Sequence, residues 1–325
     1  MPHVNTVCGP VEPSTLGRTL MHEHMVFGYP GFDGDKTMWA KSHDELMEAA
    51  GRDVEAAKAY GVHTFFDATP NDCGRDPVLL RDIAQAHEVN IVCSTGYYYE
   101  GEGAPAYFKF RSLFADIVSE IADLMVTELT DGIAGTGIKA GVIKLGTSEN
   151  VITPYEQAIT KAAARAQQAT GAPIITHTQA GTMGPDQARL LVEAGADPAK
   201  TIIGHMCGRA GDLDYQKATL AYGVGIGFDR IGGNNLFSDI TDDIRMDAIA
   251  ALIKAGYRKR IFLSHDYVAN WLGRDASGFY NLPGAKYWNT SRIGAYILPG
   301  LAARGLSGDD IDAMMVINIA RLWEV

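Results

Sequence analysis

The amino-acid sequence predicts an α/β fold, a (β/α)8 TIM barrel, and three observations carry the expectation. The 325 residues run without a compositional break, charge block or low-complexity linker, so 1–325 reads as a single domain of a length usual for such barrels. Eight short apolar runs, rich in β-branched residues and each closed by a polar one, alternate with longer segments of helical periodicity. Strands that alternate with helices pair in parallel through crossovers, and eight such units close naturally into a cylinder. The open doubly wound alternative calls for a G-x-G-x-x-G turn after the first strand, and the sequence has none there.

The first candidate strand is LMHEHMVF at 20–27, where His22 and His24 stand two apart among Leu20, Met21, Met25, Val26 and Phe27. Side chains two apart in a strand share a face at a spacing of roughly 7 Å. The next seven strands are HTFFDAT (63–69), NIVCSTGY (90–97), AGVIKLG (140–146), PIITHTQ (173–179), TIIGHM (201–206), VGIGFDR (224–230) and RIFLSHD (260–266). Amphipathic stretches at 42–61, 76–88, 153–171, 184–196 and 242–257 read as helices. Thr153 before Pro154 has the order of an N-cap and a first helical proline, and Gly171 stands just past the end of that segment.

With 28 basic against 39 acidic side chains the formal charge is -11, and no dense Lys/Arg cluster offers a surface for nucleic acid or an anionic membrane. A small-molecule substrate is therefore expected. No apolar run is long enough to span a bilayer, and the N-terminal residues lack the basic start and apolar stretch of a leader. Cys8, Cys73, Cys93 and Cys207 show no C-x-x-C spacing, which indicates neither a zinc knuckle nor a disulfide framework and suits a reducing, cytoplasmic location.

In a barrel of this kind the chemistry sits at the C-terminal ends of the strands. His22 and His24 close the first candidate strand, Lys144 the fourth, His177 the fifth, His205 the sixth and Asp266 the eighth. Each alone has a plain structural role open to it: a hydrogen-bonded core histidine, a turn-capping Asp, a Lys reaching for solvent. Six ionisable residues at one rim are a different matter, because four imidazoles and a carboxylate suit zinc, cobalt, iron or manganese. They exceed the three protein donors of a single catalytic zinc and match two divalent ions about 3.5–4 Å apart. His3, His43, His63 and His87 fall outside the pattern, and Cys207 would share the face of His205 only if that strand continued so far.

The motifs MHEH, VIKLG, IITHT, IIGH and LSHD, in this order, resemble those of the phosphotriesterase family of the amidohydrolase superfamily, and the likeness covers essentially the whole chain. The resemblance implies that His22, His24 and Asp266 bind one metal, that His177 and His205 bind the other, and that a carboxylated Lys144 and a hydroxide bridge the pair. It implies hydrolysis at an ester-like centre, with Asp266 as proton acceptor, and a homodimer. Arg230 after VGIGFD and Tyr98 in STGYYY match positions that resemble those of lactonase-like members, and both are catalytic candidates. The expected substrate is a lactone or related carboxylic ester, with promiscuous phosphotriester cleavage. A dedicated organophosphate triester hydrolase and an amide or C–N hydrolase are the alternatives within the superfamily, and a non-catalytic metal-dependent binding barrel lies outside it. The aromatic, Gly-punctuated segment 267–288 reads as a substrate-covering loop that departs from the lactonase pattern.

Overall fold

A computed structural model describes residues 2–38, 41–103 and 105–324. A short antiparallel hairpin, β1 (Val4–Thr6) with β2 (Gly9–Val11), precedes eight strands that all pair in parallel in chain order. These are β3 (Arg18–Glu23), β4 (Val62–Asp67), β5 (Asn90–Gly96), β6 (Val142–Thr147), β7 (Ile174–Thr178), β8 (Thr201–Ile203), β9 (Gly225–Phe228) and β10 (Ile261–Leu263). The last meets the first beyond its own end: Asp266 N donates to His22 O at 2.9 Å and His24 N to Tyr267 O at 2.8 Å. The eight-stranded barrel expected from the sequence is the fold of the protein.

Helices α1 (His43–Lys58), α2 (Pro77–His87), α3 (Pro105–Arg111), α4 (Ile117–Thr130), α5 (Pro154–Thr170), α6 (Gly184–Glu193), α7 (Leu213–Leu220) and α8 (Asp242–Lys254) fill the connections. The hairpin, α3, α4 and α7 were not anticipated, and α3 and α7 span only seven and eight residues, too few to show a period. The capping box on α5 is complete. Thr153 accepts from Glu156 N while Glu156 accepts from Thr153 N, and Gly171 closes the helix at φ 74°. Thr153→Ala should lower stability by about 1 kcal/mol, read as a small fall in the thermal midpoint without change of fold.

The barrel interior is filled at its N-terminal end by inward side chains that include Met21, Phe66, Val92, Val142, Ile175 and Ile202, with Val4 and Trp323 in the same cluster. One irregularity in β3 matters for what lies above. Leu20 pairs with Phe65 and Glu23 with Asp67, so β3 spends three steps where β4 spends two, and this is a β-bulge. Met21 packs inside the cylinder, and His22, next in sequence, also faces inward onto Lys144. Strict alternation from Met21 would have sent both histidines of the motif out to the helices.

Candidate metal centre

All six strand-end residues meet in one cavity at the C-terminal mouth. Lys144 Nζ lies 2.6 Å from His22 Nε2, His205 Nε2 lies 2.9 Å from His177 Nδ1, and Asp266 Oδ1 lies 3.1 Å from His24 Nε2 and 3.4 Å from His22 Nε2. The donor atoms of His22, His205 and Asp266 fall within 4.8 Å of one another, a His/Asp group able to hold a metal ion. His205 and Asp266 do not lie on strands, as their motifs suggested, but just past β8 and β10 with left-handed φ of 57° and 55°. The chain turns at His205 into residues 206–209, so Cys207 has no strand to share. It packs buried, and its sulfur accepts from Arg230 N.

The protein fixes which nitrogen of each ring faces the cavity. Asp229, fully buried and not singled out by the sequence as part of the centre, accepts from His22 Nδ1 through Oδ2 and from His205 Nδ1 through Oδ1, both at 3.0 Å. The Thr69 hydroxyl spends its proton on Val26 O and accepts from His24 Nδ1 at 2.8 Å. Gln179 Oε1 accepts from His177 Nε2 at 2.7 Å. With those protons committed outward, neutral rings turn only lone pairs inward. Burial holds the pKa of His22 down at about 3, with the Lys144 charge adding to it, and burial also lowers those of His177 and His205.

Acceptor therefore faces acceptor across the cavity: His205 Nε2 against His177 Nδ1, and His22 and His24 against the Asp266 carboxylate. Uncompensated, such contacts repel, and a shared cation removes the conflict. Two nitrogens bound to one zinc stand about 2.9–3.4 Å apart for angles between a right angle and the tetrahedral one, and the His177–His205 separation falls in that range. The residues fit metal ions. Burial opposes ionisation of Asp266, but the Arg230 guanidinium beside it reverses this and holds its carboxyl well below the usual range.

Arg230 is buried, donates from Nε to Asp266 Oδ2 at 2.9 Å and stacks on Phe237 at 4.5 Å. Tyr98 is buried rather than packed on the rim, with its hydroxyl 3.4 Å from His177 Nδ1, and burial raises its pKa well above the ordinary phenol value. Lys144 is 1% exposed, so it does not reach for solvent, and desolvation lowers its pKa to about 8. Phe27, Tyr29, Phe237, Val268, Trp271 and Trp288 wall the space above, a cavity of about 50 Å³. A larger cavity, about 590 Å³, lies between β1 and Trp323 at the opposite end of the barrel and contains none of these residues. His43 and His87 lie on the helical layer, 3.3 Å from Asp82 and 2.9 Å from Glu55 respectively.

Comparison with known proteins places the chain in a family. A family model described as the phosphotriesterase family matches residues 2–323. The aryldialkylphosphatase of Saccharolobus solfataricus is 35% identical over 312 residues, 95% of each chain. The organophosphorus hydrolase of Deinococcus radiodurans superimposes with a TM-score of 0.94 at 48% identity, over 99% of this chain and 96% of that one. A mutant of a PTE-like lactonase from the same organism gives a TM-score of 0.95 at 48% identity, over 98% and 99%. With a cation-fitting cavity at the mouth of a closed parallel barrel, matched along nearly its whole length, this chain belongs to the phosphotriesterase family and is a metal-dependent hydrolase.

Proposed function

We propose that the protein hydrolyses lactones or related carboxylic esters, and cleaves organophosphate triesters only as promiscuous substrates. The observation that carries the reading is the inward convergence of acceptors from His22, His24, His177, His205 and Asp266 on one buried cavity. His22, His24 and Asp266 would hold one divalent ion and His177 and His205 a second, zinc foremost among the candidates by its fit to imidazole and carboxylate. Bound there, such ions polarise a carbonyl oxygen and lower the pKa of water toward ~7.

Lys144 is suited to bridge the ions as a carboxylated side chain. Its depressed pKa leaves a larger neutral fraction, whose nitrogen adds to the carbon of carbon dioxide as a proton leaves, giving a carbamate anion. Asp266 accepts the proton of the attacking water, and Arg230 holds that carboxylate through Oδ2. Tyr98, kept a neutral phenol by its burial, has a proton to donate to a substrate oxygen.

The lactone assignment draws on Arg230 and Tyr98 in the cavity wall, on the aromatic lining, and on the PTE-like lactonase among the similar structures. The names of the Saccharolobus and Deinococcus relatives favour triesters as the second reading. We further infer one domain, a homodimer and a cytoplasmic location. The exposed Tyr107, Phe110, Leu113 and Phe114 on and beside α3 support self-association, and four free cysteines support a reducing compartment. Among the described residues no helix is long and apolar enough to cross a membrane.

The test is a panel of γ- and δ-lactones, aryl esters, phosphotriesters and amides, run on protein whose metal content is measured by elemental analysis. Lactone kcat/KM should exceed that for triesters by on the order of tenfold or more and vanish on chelation. Turnover of triesters alone would overturn the lactone assignment. A full metal complement with no hydrolysis of any substrate would leave only a binding role.

A further inference from the structure

Between the two histidines of the first motif stands Glu23, turned away from them by the alternation of the strand and 2% exposed. Its carboxylate receives four hydrogen bonds. Oε1 accepts from Ser264 Oγ at 2.7 Å, His265 N at 2.8 Å and His265 Nδ1 at 2.9 Å, and Oε2 accepts from Tyr267 N at 2.9 Å. The His265 ring is oriented for this, because its Nε2 accepts from Ile293 N at 3.1 Å and its proton must then sit on Nδ1. Ser264 Oγ also accepts from His22 N at 2.9 Å.

These donors bracket Asp266 on both sides. Asp266 N itself donates to His22 O at 2.9 Å, so three consecutive amides, 265 to 267, all end on the His22–Glu23 dipeptide. A left-handed residue lets the amides on either side of it turn toward one anion, and Asp266, between the 265 and 267 amides that meet Glu23, has φ 55°. An aspartate tolerates that conformation but does not favour it. The carboxylate of Glu23 supplies the reason to adopt it.

From this we infer that Glu23 is a positioning residue for the metal centre: by seating its carboxylate in the nest of amides around Asp266, it fixes the left-handed turn that aims the Asp266 side chain between His22, His24 and His205. The inference rests on the metal-hydrolase reading for its kinetic arm, whereas its metal-retention arm is independent of which substrate is turned over. The motif thereby gains a second meaning. Its outer positions face the cavity, and its middle position holds the far end of the barrel seam in register with them.

Glu23→Gln keeps the volume but turns a donor toward at least one of four donors. The experiment compares it with wild type and with Glu156→Gln, a carboxylate equally buried and bonded to Ser148, Glu100 and Thr153, none of them at the cavity. Each protein is loaded with zinc, then challenged with graded 1,10-phenanthroline while bound metal is counted by elemental analysis, alongside thermal melting and kinetics on the best ester found. Glu23→Gln should release metal at roughly 10–100-fold lower chelator and lose kcat with KM changed little, while Glu156→Gln should lower the melting point alone. Wild-type retention and kcat in Glu23→Gln would overturn the assignment, as would equal metal loss in both variants. Should Glu23→Gln fail to fold, Ser264→Ala, which removes one of the four donors, replaces it: weakened retention supports the role and unchanged retention overturns it. A wild type that binds zinc but hydrolyses nothing would defeat the proposed function while leaving the retention comparison to judge Glu23.

Discussion

Asp266→Asn should leave a folded, metal-binding protein whose kcat is reduced about 10²–10⁴-fold, the range for loss of a positioned general base. The fold survives because the backbone at this position is held by bonds the substitution does not touch, Asp266 N to His22 O and the flanking amides to Glu23. What changes is the side chain. The carboxylate offers acceptors to Arg230 Nε at 2.9 Å and to whatever cation lies between it and His22, His24 and His205. Asparagine keeps the shape, carries no charge and has no site for a proton near neutrality, so the loss falls on the step in which water gives one up. At 10³-fold this is about 4 kcal/mol of transition-state stabilisation. Kinetics on metal-reconstituted protein, with circular dichroism as the check on fold, decide the matter, and a near-normal rate would remove Asp266 from the proton-accepting role.

The second large effect is expected at a residue with no access to substrate. Asp229→Asn should weaken cation binding by roughly 10–100-fold, measured by chelator titration, with little change in secondary structure. Both Asp229 oxygens accept, one from His22 Nδ1 and the other from His205 Nδ1, and Oδ1 also takes His205 N at 2.7 Å. An amide offers one oxygen and one NH2, so one ring must meet a donor where it met an acceptor. That ring responds by moving its proton to Nε2, where it points into the cavity and blocks the lone pair a metal needs. Burial works against the Asp229 charge, yet the His205 and His22 contacts more than reverse this and hold its pKa below the ordinary value. Asparagine forfeits that compensation. Unchanged chelator sensitivity would show that the two imidazoles need no common anchor.

The positions of His22, Lys144 and His177 were legible because each belongs to a strand, and that of His24 because it follows β3 directly, where a strand ends being a local property of the chain. Those of His205 and Asp266 were legible to within a few residues. Their left-handed turns past β8 and β10 depend on partners such as Asp229 and Glu23, which lie 24 and 243 residues away in sequence. Arg230 shows the same limit from the other side. Asp229 is its neighbour in sequence, yet consecutive residues leaving a strand diverge, and the guanidinium reaches Asp266 past the end of the adjoining strand β10 instead. His265, whose imidazole carries one of the four bonds to Glu23, left no periodic signal at all.

By itself the amino-acid sequence determined the order of the eight barrel strands, the class of fold and the chemical character of the centre, since hydrophobic period and residue type act over a few positions. The closure of β3 against the segment after β10, the bulge that turns His22 inward, and the Asp229 carboxylate that sets the tautomers of His22 and His205 were decided only by tertiary structure. Those features rest on contacts between segments far apart along the chain, and such contacts come into being when the cylinder closes.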